Sequence, residues 1–142
     1  AKMLSIKSET IEERQSRSLW REIRDCIPFA DGGNRPIWRV SLAPMAGHAF
    51  VADLRLHAAV DAFYDWQGGL VWLRIDGAPE AEAIRALVKK HGGGHATLIR
   101  ANEDERRAIP VFEPQPPALA ALSARVKEQF DPNGILNPGR MG

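Results

Sequence analysis

Residues 60–76 read VDAFYDWQGGLVWLRID, two apolar alternations separated by Gln67, Gly68 and Gly69. Glycines at that point accept the positive φ of a tight turn, so the segment reads as a β-hairpin. Pairing across the turn sorts the side chains. Val60, Ala62, Tyr64, Val71, Leu73 and Ile75 take the core face, and Asp61, Phe63, Asp65, Leu70, Trp72 and Arg74 take the other. With Gln67 and Gly68 as turn residues Asp61 stands opposite Arg74, whereas Gly68 and Gly69 would set it against Asp76. Opposite charges favour the first register by about 0.5 kcal/mol.

The flanks supply two more strands and two helices. PIWRVSLAP alternates after the turn chemistry of Asp31–Asn34 and stops at Pro44, with Trp38, Val40 and Leu42 on one face and Arg39 and Ser41 on the other. From about Ala46 to Ala58 the spacing of Phe50, Val51 and Leu54 predicts a helix. A second helix has Pro79 in its first turn, Glu80 and Glu82 at its positive end, Lys89 and Lys90 at its negative end, and Gly92 as its stop. Its apolar stripe is Ile84, Leu87 and Val88, and GHATLIR then forms the last strand, with Ala96 and Leu98 on one face and His95, Thr97 and Ile99 on the other. Terminal helices bracket this set. One runs to a point just before Pro28, with Thr10 and Glu13 at capping-box spacing, although Leu4 and Ile6 alternate like a short strand. The other carries Leu119, Leu122, Val126 and Phe130 and follows an extended connector at Pro110, Pro114, Pro116 and Pro117.

Strand, helix, strand, strand, helix, strand is the ferredoxin-like split βαβ order: an α+β fold whose antiparallel sheet carries its helices on one face, here with N- and C-terminal helices added. First and last strands are neighbours in that fold, which brings Arg39 and Ser41 beside His95 and Thr97. The face away from the helices then holds two Arg, a His, an Asp, Phe63 and Trp72. Arg39 and Arg74 could grip a carboxylate there, or Arg74 could pair with Asp61 and Arg39 lie in water. His95 could move protons or give a structural hydrogen bond.

Other chemistries fall away. Nineteen Lys and Arg against eighteen Asp and Glu leave a charge of +1, far from a nucleic-acid footprint, although Phe63 and Trp72 could stack on RNA bases in a sheet of this topology. His48, His57, His91 and His95 lack carboxylates at ligand spacing, so no metal site is expected. The Gly92–Gly94 run follows a helix and precedes a strand, the reverse of a phosphate loop. Cys26 is a lone thiol, expected in the core, which points to the cytoplasm. No apolar run approaches the ~20 residues of a bilayer span, and AKMLSIKSET has no signal-peptide core. A start at Ala1 fits a piece of something longer.

The terminal LSARVKEQFDPNGILNPGRMG resembles the C-terminal signature of FAD-linked oxidases of the vanillyl-alcohol oxidase type, in which a helix runs into a DP-x-G-x-LNPG-basic tail. With PIWRVSLAP, DWQGGLVWLR and GGHATLIR in order, the chain from about Leu19 to Gly142 is similar to the FAD-binding subunits of bacterial glycolate oxidases. The resemblance implies that residues 1–142 are a single C-terminal cap domain whose N-terminal FAD-binding domain is absent from this chain. The cap's sheet would close over a flavin in the full-length subunit, with FAD not expected on the fragment.

On that resemblance Arg39, Arg74 and His95 face the flavin or a carboxylate, while Asn137, Pro138, Gly139 and Arg140 return along the partner domain. Related catalytic subunits carry an EHG-type histidine motif where this chain has GGHAT, so no catalytic residue is assigned. The implied complex oxidises glycolate or a related 2-hydroxy acid and passes electrons through FAD to other subunits, including an iron–sulfur one. Its implied location is the cytoplasm or the inner face of the cytoplasmic membrane. The rival class is a ferredoxin-like ligand-sensing or protein-interaction module without a redox role. An open face with Phe63, Leu70 and Trp72 predicts self-association of the fragment.

Overall fold

A computed structural model describes residues 9–136. Their contacts divide into two units, up to Gly33 and from Asn34 onward. In the first, α1 spans Glu13–Arg24 and a 3-10 turn spans Ile27–Phe29. The helix starts at Glu12 and not at Thr10, because the Glu12 N–H is taken by the Gln15 side chain at 3.4 Å. Helical spacing runs on to Cys26 and Ile27, but the chain turns at Cys26 (φ 54°) ahead of Pro28, which cannot donate to a continuing helix. The alternation at Leu4 and Ile6 lies outside the described residues.

The second unit is the α+β domain. Its elements are β1 (Ile37–Ser41), α2 (Gly47–Leu54), β2 (Val60–Asp65), β3 (Leu70–Ile75), α3 (Ala81–Lys90), β4 (His95–Arg100), α4 (Glu103–Ala108) and α5 (Pro117–Phe130). The antiparallel sheet has the order β2-β3-β1-β4, so first and last strands lie side by side in the split βαβ arrangement. Asp61 pairs with Arg74, the register that opposite charges favour. Gln67 and Gly68 are the middle of the turn, flanked by Trp66 and Gly69.

Alternation dictates the core. Trp38, Val40, Val71, Leu73, Ile75, Ala96 and Leu98 are buried beneath Phe50, Val51 and Leu54 of α2 and Ile84, Leu87 and Val88 of α3. Tyr64 is more exposed than its core-facing register suggests, because β2 is the outer strand. The Trp38 indole N–H donates to the Pro79 carbonyl at 2.8 Å. Pro79 therefore sits before α3 and not in its first turn, with Glu80 between them in the left-handed region (φ 54°). At the far end of α3 the Gly93 N–H reaches back to the Val88 carbonyl and stops the helix. Asp53 of α2 clasps that end, bonding Lys90 Nζ and His91 Nε2 at 2.8 Å each, and these partners hold its carboxyl below the usual carboxylate range.

Beyond β4 the chain forms α4. Its capping box was legible: Asn102 Oδ1 accepts from the Glu105 N–H at 2.9 Å, and Glu105 accepts from Asn102. Residues 110–113 then run as a strap along the outer edge of β4. The Leu98 N–H donates to the Val111 carbonyl (2.8 Å) and the Ala96 N–H to Glu113 Oε2 (3.2 Å), which occupies edge groups that would otherwise invite another strand. Arg85 of α3 ties the strap down through the Pro110 and Phe112 carbonyls. The prolines that follow form the expected connector to α5, whose Leu119, Leu122, Val126 and Phe130 are 47–81% exposed. The stripe marks a helix, as its spacing predicts, but it covers nothing within the described residues.

Two glycines are required by close approach. A Cβ on Gly47 would lie 2.4 Å from the Gly68 carbonyl oxygen and 2.7 Å from a Val71 methyl, and one on Gly94 (φ 148°) would lie 2.1 Å from the Ser41 oxygen. Gly47→Ala is expected to lower stability by about 1–3 kcal/mol through overpacking, measured by urea denaturation, and an unchanged midpoint would contradict this packing.

Candidate functional site

Because alternation sends every second side chain away from α2 and α3, the opposite sheet face carries the polar and aromatic residues singled out above. Register arranges them in three rows: Arg100, Ile37, Arg74 and Asp61 at one end, then Thr97, Arg39, Trp72 and Phe63, then His95, Ser41, Leu70 and Asp65. A register shift between Ile37 and Trp38 leaves Ile99 unpaired, which brings Arg100 into the first row.

The middle row forms a platform. Phe63 and Trp72 stack with centroids 6.2 Å apart and planes 17° from parallel, a direct result of their cross-strand pairing. Beside them the Arg39 guanidinium lies 5.7 Å from the Trp66 ring centroid. Arg39 is thus not lying free in water, as one reading had it. Leu70, in the third row, is buried, although its place on the open face predicts exposure.

At the first row Arg74 Nη2 donates to Asp61 Oδ2 at 2.6 Å, so of the two readings of Arg74 the structure contains the cross-strand ion pair. The hydrogen bond from Arg74 holds the Asp61 carboxyl below the usual range. Arg35, beside this row, pairs with Asp76 at 3.0 Å, and Arg100 Nε donates to the Arg35 carbonyl. His95 stands exposed at the start of β4 opposite Ser41, remote in register from Arg74. Arg39, Arg74 and His95 therefore share a face but occupy three different rows. Asn137, Gly139 and Arg140, with Pro138, lie outside the described residues.

The face is a platform; shallow, open hollows lie elsewhere, along α5 by Leu122, Arg125 and Val126 and along α1. Among the described residues no three His, Cys, Asp or Glu side chains gather as a metal site, and no helix is long and apolar enough to cross a membrane. The platform suits one side of a planar ring system with an anionic edge: two aromatic side chains and a guanidinium held on a third. It does not suit the enclosure of a whole dinucleotide. Sequence reasoning missed Trp66, whose role depends on the shape of the hairpin loop, and Arg85 with Glu113, whose meeting depends on the strap.

Residues 111–141, from the strap through α5, match the family described as FAD linked oxidases, C-terminal domain. Over 133 residues the chain is 29% identical to the glycolate oxidase subunit GlcE of Escherichia coli (strain K12), covering 91% of this chain and 32% of that protein. The chain thus spans about a third of the length of the curated relative it matches. No solved structure matches it.

Because Asp61 is more acidic folded than unfolded, its pair with Arg74 contributes stability above the unfolded carboxylate range, and this is lost as pH falls through the depressed value. Carboxyl NMR titration should place Asp61 below the ordinary range, and Arg74→Gln should return it there. A normal Asp61 midpoint in the parent protein would rule the pair out as a solution contact.

Proposed function

We propose that this chain, which carries the C-terminal domain of FAD linked oxidases, is the cap of a longer flavin-dependent oxidoreductase subunit and presents its open sheet face to the flavin ring. The observation that carries the reading is the division of one sheet into a face sealed by α2 and α3 and a face of stacked Phe63 and Trp72 with Arg39 beside them. An ordinary solvated face does not hold two large aromatics and a guanidinium bound to a third ring. A second support is the uncovered stripe of α5, which lies within the matched stretch and would bury itself against the FAD-binding part of the full-length chain.

On this reading FAD is held chiefly by the N-terminal part of the longer chain, and the cap excludes water from one side. Bound FAD supplies two-electron redox chemistry, and the protein supplies orientation and charge. The substrate is glycolate or a related small 2-hydroxy acid, whose carboxylate suits the planar fork of an arginine. Arg39, Arg74 and His95, each in its own row of the open face, are the candidates for contact with flavin or substrate, with Asn137, Gly139 and Arg140 assigned toward the FAD-binding part. Electrons pass to other subunits of a complex, including an iron–sulfur one, in the cytoplasm or at the inner face of the cytoplasmic membrane. The isolated chain, lacking the main cofactor contacts, is not catalytically competent and associates with itself through its uncovered apolar surfaces.

In the full-length subunit, replacing both Phe63 and Trp72 with Ser should open the flavin to solvent, raising iodide quenching of its fluorescence several-fold. Unchanged quenching would show that the open face does not look onto the flavin. In parallel, the full-length subunit should keep its yellow colour through gel filtration and the isolated chain should lose it; stoichiometric flavin on the isolated chain would overturn the cap assignment.

A further inference from the structure

We infer that Trp66 is a positioning residue that holds the Arg39 guanidinium ready for an anionic group presented to the open face. The inference rests on the reading that this face looks onto the redox centre, and it adds a residue that neither sequence nor family resemblance singles out. Trp66 and Gln67 both lie in the left-handed region, at φ 50° and 56°. A bulky aromatic residue adopts that conformation at a cost and keeps it only where its surroundings over-determine it.

Here they do. The Trp66 N–H donates to Asp65 Oδ1 at 2.7 Å, the Trp66 carbonyl accepts from the Gly69 N–H at 2.9 Å, and the Gln67 carbonyl accepts from the Met45 N–H at 3.0 Å. Beneath this loop the Leu42 N–H donates to the Gly69 carbonyl, so the hairpin tip is bound to the β1–α2 connection. Burial does not explain the arrangement, since Trp66 remains 60% exposed. The ring is instead carried to the Arg39 guanidinium, where its face attracts the cation. A long arginine loses rotamer freedom when it grips a ligand, and one already held on a rigid ring loses less. Trp66 therefore acts on ligand binding through Arg39 and not by touching the ligand.

The test uses the full-length subunit in its complex, with glycolate as substrate, and measures kcat, KM and flavin dissociation for Arg39→Gln, Trp66→Leu, Trp66→Phe and the double variant Arg39→Gln/Trp66→Leu. Trp66→Leu keeps apolar bulk at an exposed position and removes the ring, so folding is not at stake. It should weaken the parameter that Arg39→Gln weakens, by about two- to fivefold, the range of a cation–π contact near the surface, with kcat little changed. Trp66→Phe should restore most of the loss, and the double variant should be no worse than Arg39→Gln alone. A raised KM with unchanged flavin dissociation assigns the anion to the substrate carboxylate, and the reverse assigns it to the cofactor. If Arg39→Gln has an effect and Trp66→Leu has none, or the two effects add, the positioning role is wrong while the cap reading stands. If Arg39→Gln changes neither parameter, the cap reading of the face falls and this inference falls with it.

Discussion

Trp38 ties the α+β domain together. It is fully buried on β1, a central strand, and its indole N–H could not lie in an apolar core without a partner. The Pro79 carbonyl supplies one, which fixes where the chain leaves the sheet to begin α3. The Arg85 guanidinium then lies 5.6 Å from the indole centroid and reaches past it to the Pro110 and Phe112 carbonyls. One side chain thus joins the central strand, the second crossover and the strap on the sheet edge. Arg85 Nε is buried without a hydrogen bond, with Glu113 Oε2 at 3.7 Å and the Trp38 ring as its nearest compensation.

This connection explains why the two faces differ so sharply. The main core cluster is gathered under α2 and α3, so the other face is free to carry Arg39, Arg74, Phe63 and Trp72 at cross-strand distances fixed by register. Its charges are organised by neighbours on the sheet: Arg74 by Asp61 and Arg39 by Trp66.

Period-two alternation made the sheet legible in the sequence, because a slip of one residue would have turned every apolar side chain outward. The choice between Asp61–Arg74 and Asp61–Asp76 could be made from charge alone, and the neighbouring of β1 and β4 followed from element order. Local signals were less reliable where a distant partner decided the outcome. Pro79 looked like a first-turn residue, yet the Trp38 indole claims its carbonyl. Leu70 looked exposed, yet it is buried on the face away from α2 and α3. Trp66 gave no signal of its own, since left-handed backbone at an aromatic residue is set by its N–H bond to the Asp65 carboxylate and its carbonyl's bond from the Gly69 N–H, not by its own preference.

The strap has a mechanical consequence. Glu113 is fastened to the edge of β4 and lies close to Arg85, and α5 begins at Pro117. Pro114 and Pro116 lie between these points and Pro117 opens the helix, each with a ring-locked torsion, so little slack separates the anchorage from the helix. The helix is mounted like a lever arm on the sheet's border, and any force that tilts it is felt first at Arg85 and, through the indole, in the middle of the core.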